Sequence, residues 1–224
     1  MTDLLAASAK QVLAVEVDRT ICTLLTPRLA ALANVEVRCE DILTFPWPRY
    51  PGSKVIGAVP YHITSPLLVN LCEQATSIAG AWFGLQREVV QRLCATPGTK
   101  AYGRLTLLVQ YYFSVKSLVR MPPTAFFPRP HVDSMWMQLL PRPSRAAQVE
   151  DEHLFFDVIR VAFSQRRKTL LNGLGQLTRP RLTREDAAGV IRQLGLPSQV
   201  RGEALSLTQF AQLANTLTHL KPFH

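Results

Sequence analysis

Short apolar runs alternate with helix-spaced segments along the first part of the chain. The β-branched run Gln11–Val17 predicts a buried parallel strand, and Val35–Arg38 and Lys54–Val59 predict two more strands. Between the first two, Asp18–Ala33 has apolar residues at helical spacing, and Pro27 predicts a kink or an early end of that helix. Strand, helix, strand, loop, strand is typical of an α/β sheet with crossover helices.

The hydrophobic pattern changes beyond Pro141–Ser144. Up to that point helices are predicted at Ser65–Ser77 and Glu88–Cys94 and strands at Ala81–Gln86, Val115–Leu118 and Ser134–Leu140, while Leu105–Phe113 is either helical or extended. Afterwards every periodic segment is helix-like: Leu154–Phe163, Arg166–Leu174, Thr183–Leu194 and Leu207–Leu220. The sequence therefore predicts an α/β domain over residues 1–145 and a helical domain over residues 146–224.

The charge balance and the cysteine usage indicate which kind of partner and which cellular compartment to expect. The 224 residues carry 25 Lys and Arg against 16 Asp and Glu, a net charge of +9, which suggests a polyanionic partner and makes nucleic acid the first candidate. The four cysteines lie far apart without a CxxC pair, so we expect reduced thiols and neither a zinc site nor a disulfide framework. No apolar run reaches the roughly 18 residues of a membrane span and no secretory leader is evident, so a soluble cytoplasmic protein is predicted.

Two acidic residues follow predicted strands. Glu16 lies near the end of the first strand and Asp41 just after the second. Carboxyl ends of parallel strands line the ligand crevice of α/β folds, and an acid there is suited to accept hydrogen bonds from ribose hydroxyls or an adenine amine. A nucleoside cofactor fits this pattern, but so do two loop acids of which one caps the following helix.

A strand that ends in Pro60-Tyr61 runs into a helix that Thr64 or Ser65 would cap. Proline frees a backbone carbonyl from sheet pairing, and tyrosine offers a face on which a base can stack. A turn with a buried tyrosine would have the same sequence.

Two basic stretches are candidate RNA contacts. Arg166, Arg167 and Lys168 are consecutive at the start of a predicted helix, where phosphate contact and a solvated basic turn are equally good interpretations. The second stretch surrounds the turn Thr96–Thr99 and includes Arg87, Arg92, Lys100 and Arg104 together with Tyr102. It is either an RNA-facing loop or an ordinary surface turn.

Eight motifs in order along the chain resemble those of the rRNA adenine N6,N6-dimethyltransferases, the family of small-subunit dimethyladenosine transferases. They are Val15-Glu16-Val17-Asp18-Arg19, Glu40-Asp41, Val59-Pro60-Tyr61-His62-Ile63, Leu85-Gln86-Arg87-Glu88-Val89, Lys100-Ala101-Tyr102-Gly103-Arg104-Leu105, Pro122-Pro123-Thr124-Ala125-Phe126-Phe127-Pro128, Val132-Asp133-Ser134 and Phe163-Ser164-Gln165-Arg166-Arg167-Lys168-Thr169. The resemblance runs from about Leu13 to Leu213.

This resemblance implies a Rossmann-like domain that binds S-adenosylmethionine, followed by a small helical rRNA-docking domain. It assigns Glu16 to the cofactor ribose and Asp41 to the cofactor adenine. It places the target adenosine against Tyr61, with the Pro60 carbonyl and an Asn side chain as acceptors for the amino group that is methylated. The implied partner is small-subunit rRNA within the small ribosomal subunit, with neither a metal nor a membrane involved, and the implied process is ribosome biogenesis.

The chain departs from the family pattern in two places. The family motif Asn-Leu-Pro-Tyr reads Ala58-Val59-Pro60-Tyr61, so position 58, assigned to both the catalytic and the cofactor site, lacks its acceptor unless His62 or Thr64 compensates. By analogy with oxyanion holes the loss would cost about 10² to 10³ in rate. Residues 1–15 also contain no counterpart of the strand and glycine-rich cofactor turn that the family pattern places before Glu16, so either the start is misplaced or part of the cofactor site is lost.

These departures affect both the assembly and the activity that we expect. A monomer is expected, although a free edge on the first strand predicts lower stability or self-association. The alternative to the enzyme is a catalytically weakened or inactive ribosome-assembly factor that binds rRNA, and a third hypothesis is a DNA-binding transcription protein of the same fold.

Overall fold

The computed structural model describes residues 1–126, 129–130 and 132–220. Within them the chain divides into two compact units, one formed by Met1–Tyr50 and the other beginning at Pro51. The sequence-predicted boundary near residue 145 lies inside the second unit and stays a prediction. No helix among the described residues is long and apolar enough to cross a membrane.

The first unit is a two-stranded parallel sheet with two helices. It contains α1 (Thr2–Ala6), β1 (Val12–Val15), α2 (Arg19–Leu29) and β2 (Val35–Arg38), followed by a 3₁₀ turn at Trp47–Arg49. The strands pair in parallel from Val12 opposite Val35 to Val15 opposite Arg38. The carboxylate of Asp18 caps α2 by accepting from the amides of Thr20 and Ile21. The helix ends at Leu29, two residues after Pro27, which agrees with the early end predicted from that proline.

One disulfide corrects the expectation of four reduced thiols. Cys22 in α2 and Cys39 directly after β2 are bonded, with their Cα atoms 5.9 Å apart. Their separation of 17 residues carries no recognisable spacing signal, because the pair forms only when the helix packs beside the strand. Cys72 and Cys94 are free, and burial raises the pKa of the Cys72 thiol to about 12, which makes it a poor nucleophile.

The second unit begins with a four-stranded mixed sheet. Its strands are β3 (Ser53–Ala58), β4 (Ile78–Gln86), β5 (Phe113–Met121) and β6 (Ser134–Pro141), in the spatial order β3-β4-β6-β5. β3 and β4 are parallel, whereas β6 runs antiparallel to both β4 and β5. The helices α3 (Thr64–Glu73), α4 (Arg87–Leu93) and α5 (Arg104–Tyr112) connect them, so the ambiguous segment Leu105–Phe113 is mainly helical. This mixed sheet with helices is the α/β architecture predicted from the pattern.

The remainder of the second unit is helical, as predicted. It comprises α6 (Glu152–Ala162), α7 (Leu170–Leu174), α8 (Arg184–Gln193) and α9 (Leu207–Thr218). Phe155, Ile159 and Phe210 are completely buried in its core. The predicted start of the helix Arg166–Leu174 is wrong, because residues 164–168 form turns and α7 begins only after Thr169.

Candidate active site

The Pro60-Tyr61 loop connects β3 to α3. β3 ends at Ala58, the amide of Val59 donates to the carbonyl of Gly84 in β4 at 3.2 Å, and Tyr61 opens a 3₁₀ turn that leads into α3. Tyr61 is 43% exposed, and its hydroxyl lies 3.4 Å from Oγ of Ser134. The alternative of a turn with a buried tyrosine is therefore wrong.

The Pro60 carbonyl already has two donors. It accepts from the amide of Ile63 at 3.2 Å and from Oγ1 of Thr64 at 3.3 Å. Thr64 is buried, and it uses its hydroxyl proton on Pro60. A carbonyl oxygen has two lone pairs, so an incoming amino group would have to share or displace one of these bonds.

The side chains of this loop differ in how they could replace the missing acceptor. Ala58 is exposed at the end of β3, opposite Gly84, and its methyl group forms no hydrogen bond. Thr64 points its hydroxyl at the Pro60 carbonyl, as above. His62 is exposed in the 3₁₀ turn, which fits the interpretation of a helix-start residue.

The two acidic candidates lie at the same edge of the two-stranded sheet of the first unit. Glu16 directly follows β1 and its amide donates to the carbonyl of Arg38 at 3.0 Å, while Asp41 lies a short distance after β2. Glu16 Oε1 accepts from the amide of Asp18 and Asp41 Oδ1 from the amide of Leu43, both at 2.9 Å. The residue that caps α2 is Asp18, so Glu16 is not that cap. Lone pairs remain on both carboxylates for the hydroxyl and amine donors of a nucleoside.

The predicted basic residues fall into two groups. Arg166 already has protein partners: it donates to the carbonyls of Lys100 and Tyr102 at 2.8 and 3.3 Å and pairs with Glu203 at 3.0 Å. Arg87 pairs with Asp133 at 3.5 Å. Four other predicted cations are also exposed, but they form no ion pair with any described residue: Lys100, Arg104, Arg167 and Lys168.

The bonds of Arg166 bring the two basic stretches together. They join residues 164–168 to residues 100–104, which are far apart in sequence. Tyr102 is buried, its hydroxyl donates to the carbonyl of Leu205 at 3.0 Å, and its ring meets Phe163 edge-on. Tyr102 therefore belongs to the core, and the aromatic part of the predicted RNA-facing loop is not available for stacking.

Sequence reasoning overlooked the side chains near the start of β6. Ser134 lies opposite Gln86 at the end of β4 and contacts Tyr61, although the motif that contains it suggested no role. Next to it lies a cavity of about 530 Å³ whose lining includes Gln86, Arg87, Gln91, Val132 and Asp133. Only the antiparallel pairing of β4 with β6 makes these residues neighbours. Of the motif Pro122–Pro128, Phe127 and Pro128 lie outside the described residues.

A mixed sheet with a following helical region and an exposed tyrosine after β3 are compatible with an α/β enzyme that modifies a base. Comparison with known proteins makes this more specific. A family model described as ribosomal RNA adenine dimethylase matches residues 1–218, so the chain belongs to that family. The predicted enzyme class, an rRNA adenine dimethyltransferase, is the one that this family defines.

Individual relatives agree with this assignment. The chain is 40% identical to the ribosomal RNA small subunit methyltransferase A of Streptococcus pneumoniae, over 97% of this chain and 78% of the relative. It is 38% identical to the protein of the same name from Bacillus mycoides, over 97% and 77%.

Two solved structures share the fold. A dimethyladenosine transferase from Plasmodium falciparum superposes with a TM-score of 0.77 at 22% identity, covering 96% of this chain and 86% of that one. The 23S rRNA methyltransferase ErmE gives 0.71 at 25% identity, covering 97% and 86%. The predicted Rossmann-like methyltransferase class is therefore confirmed.

Proposed function

We propose that this chain transfers methyl groups from S-adenosylmethionine to N6 of adenosines in small-subunit rRNA during ribosome biogenesis. The observation that carries the proposal is the exposed ring of Tyr61 on a loop held to the sheet at Val59. The substrate class comes from the family and from the small-subunit methyltransferases that the chain resembles. We propose that the enzyme works in the cytoplasm as a monomer.

The target adenine stacks on Tyr61 after leaving its helix. Base stacking on an aromatic ring contributes about 1–3 kcal/mol per base, which offsets much of the cost of unstacking. In this position the exocyclic amino group reaches the Pro60 carbonyl and takes the place of the amide of Ile63 or the hydroxyl of Thr64 as a donor to it. Accepting a hydrogen bond from that amine localises its lone pair on nitrogen, and the localised pair is the nucleophile.

Glu16 and Asp41 hold the cofactor in this proposal. Each carboxylate keeps lone pairs beyond its single local bond, so Glu16 accepts from the ribose hydroxyls and Asp41 from the adenine amine. S-adenosylmethionine supplies an electrophilic methyl group on a sulfonium ion. Neither carboxylate needs to move a proton for the transfer.

The rRNA is held by exposed cations of the second unit. Lys100, Arg104, Arg167 and Lys168 have no competing acid among the described residues, so phosphate oxygens are their natural partners. Arg87 and Arg166 were predicted in the same role, and each already has an acidic partner that a phosphate would have to replace. We therefore propose that Arg87 and Arg166 contribute less to rRNA binding than the other four cations.

The test mixes the 224-residue chain with labelled S-adenosylmethionine and undermethylated small ribosomal subunits, and it measures label in adenine together with co-sedimentation of the protein. Slow transfer to adenine is expected, and Tyr61→Ala is expected to abolish it because the stacking surface is lost. Label in adenine that is unaffected by Tyr61→Ala would contradict the proposed site.

A second candidate function is a weakened or inactive ribosome-assembly factor that binds rRNA. Two observations favour it: Ala58 offers no acceptor, and the Pro60 carbonyl already accepts from Ile63 and Thr64. Co-sedimentation without any transfer would favour this candidate over the enzyme.

A further inference from the structure

We propose that Ser134 is a positioning residue that fixes the ring of Tyr61 for stacking against the target base. This inference rests on the proposed function of Tyr61, and it adds a residue to which the family resemblance assigns no role. Ser134 touches neither substrate nor cofactor in this arrangement. It acts only through the phenol of Tyr61.

Ser134 is one of few polar side chains buried in the described part of the chain. The others are Thr64 and Thr106, and both have backbone partners: the carbonyl of Pro60 for Thr64 and that of Arg92, at 2.8 Å, for Thr106. The Ser134 residue is only 3% exposed, and the partner of its Oγ is the hydroxyl of Tyr61 at 3.4 Å. A buried hydroxyl needs such a partner, because leaving it unsatisfied costs free energy.

The start of β6 is itself held on two sides. The carbonyl of Asp133 accepts from the amide of Arg87 at 2.9 Å, at the beginning of α4. The carboxylate of Asp133 accepts from Arg120 at 2.7 Å and lies 3.5 Å from Arg87. Ser134 therefore presents its hydroxyl from a strand end that is fixed to both β5 and α4.

The position of this contact on the ring explains its effect. The hydroxyl of tyrosine lies at the far end of the ring from Cβ, so a bond there limits the swing of the whole ring about χ1. Tyr61 is 43% exposed, whereas Tyr102 and Tyr111 are each 1% exposed, so fewer neighbours restrain the ring of Tyr61. A ring that is already in place loses less conformational entropy when a base stacks on it.

A double-mutant cycle separates positioning from general damage. We expect Ser134→Ala to lower kcat/KM for adenine methylation about threefold to tenfold, the size of one neutral hydrogen bond. Tyr61→Phe, which keeps the ring but removes the hydroxyl, should lower it similarly, and the double variant should be no slower than Tyr61→Phe alone. Losses that multiply in the double variant would overturn the proposal. Ser114→Ala, an exposed serine of β5, is the matched control.

A second measurement does not depend on activity. All five tyrosines are replaced by 3-fluorotyrosine, and the ¹⁹F resonance of Tyr61 is identified by its loss in Tyr61→Phe. Ser134→Ala should shift or broaden that resonance and leave those of Tyr102, Tyr111 and Tyr112 unchanged. An unchanged Tyr61 resonance would overturn the positioning role, even in a chain that transfers no methyl groups. If the chain transfers no methyl groups but Ser134→Ala still shifts the Tyr61 resonance, the result counts against the proposed enzyme and not against the positioning role of Ser134.

Discussion

The two units hold their candidate site residues in different ways. In the first unit, Glu16 and Asp41 are bonded to amides only two residues further along the chain. In the second unit, the hydroxyl of Tyr61 contacts Ser134, which is 73 positions away in the sequence. The hydroxyl of Tyr102 donates to Leu205, which is 103 positions away. Local bonds leave the carboxylates free to adapt to a ligand, whereas long-range bonds couple the aromatic site to the stability of the sheet.

The two units also differ in how far their apolar residues are buried. Every position of β1 is only partly buried, and Val17, Ile21 and Leu24 are 65%, 42% and 67% exposed. β4 in the second unit is buried at most of its positions. Because local stability follows buried apolar contact, the first unit should open more readily than the second.

The largest difference is expected from core truncation. Phe155 is fully buried with its ring 5.0 Å from those of Tyr111 and Phe156, so Phe155→Ala should cost about 3–5 kcal/mol of unfolding free energy. Leu13→Ala in β1, which is only half-buried, should cost about 1–2 kcal/mol. Urea unfolding measures both, and equal losses would contradict the weaker core of the first unit.

Glu152→Gln tests a long-range cluster within the second unit. Burial disfavours the ionised carboxylate, but hydrogen bonds from Tyr111 at 2.9 Å, Tyr112 at 3.0 Å and Arg145 outweigh it and lower the pKa of Glu152. A lowered pKa gives stability that is present above the unfolded-state value and lost as pH falls through the folded-state value. Because the carboxylate is partly exposed and therefore screened by solvent, we expect Glu152→Gln to cost up to about 1 kcal/mol at pH 7 and less near pH 3.

The control for this prediction is Glu88→Gln. Glu88 forms only an exposed pair with Arg92 and should change stability by less than about 0.5 kcal/mol at either pH. Thermal melts of both variants at pH 7 and pH 3 measure these losses of stability. A loss from Glu152→Gln that is the same at both would rule out an ionic contribution from this cluster.

The free cations of the second unit should affect RNA binding more than stability. Replacing Arg167 and Lys168 by Gln should reduce the slope of log K against log salt by about 1.4–1.8, since each phosphate contact contributes about 0.7–0.9. Arg166→Gln should instead lower the melting temperature, because Arg166 holds Lys100, Tyr102 and Glu203 together. If Arg166→Gln lowered the salt slope as much as the double replacement of Arg167 and Lys168 does, the contacts of Arg166 with Lys100, Tyr102 and Glu203 would not persist in the RNA complex.

The smallest effects on stability are expected at the acidic residues of the first unit. Glu16→Gln and Asp41→Asn remove charges whose hydrogen bonds in the structure are local, so each should change the unfolding free energy by less than about 0.5 kcal/mol. Both should weaken binding of S-adenosylmethionine in calorimetry. Unaltered cofactor binding in both variants would remove these residues from the proposed site.

The sequence predicted the elements that depend on local pattern. The strand Val35–Arg38 was placed at its observed bounds, and the helical region beyond residue 145 was recognised from apolar spacing. Motif order also identified the loop of Tyr61, whose exposed ring the structure shows.

Contacts between distant segments could not be predicted in the same way. The disulfide of Cys22 with Cys39 needs a helix to pack beside a strand. The hydrogen bonds of Arg166 and the burial of Tyr102 depend on groups from other segments of the chain. Ser134 meets Tyr61 only because β6 pairs with β4 in one particular register.

The most direct test of the proposed enzyme compares the natural chain with Ala58→Asn in methyl transfer to adenine of undermethylated small subunits. The exposed end of β3 has room for the larger side chain, which restores the missing acceptor. We predict slow transfer by the natural chain and a rate about 10² to 10³ higher for the variant, by analogy with oxyanion-hole donors. Failure of both chains to label adenine, with both still co-sedimenting with the subunits, would contradict the enzyme and leave an rRNA-binding assembly factor.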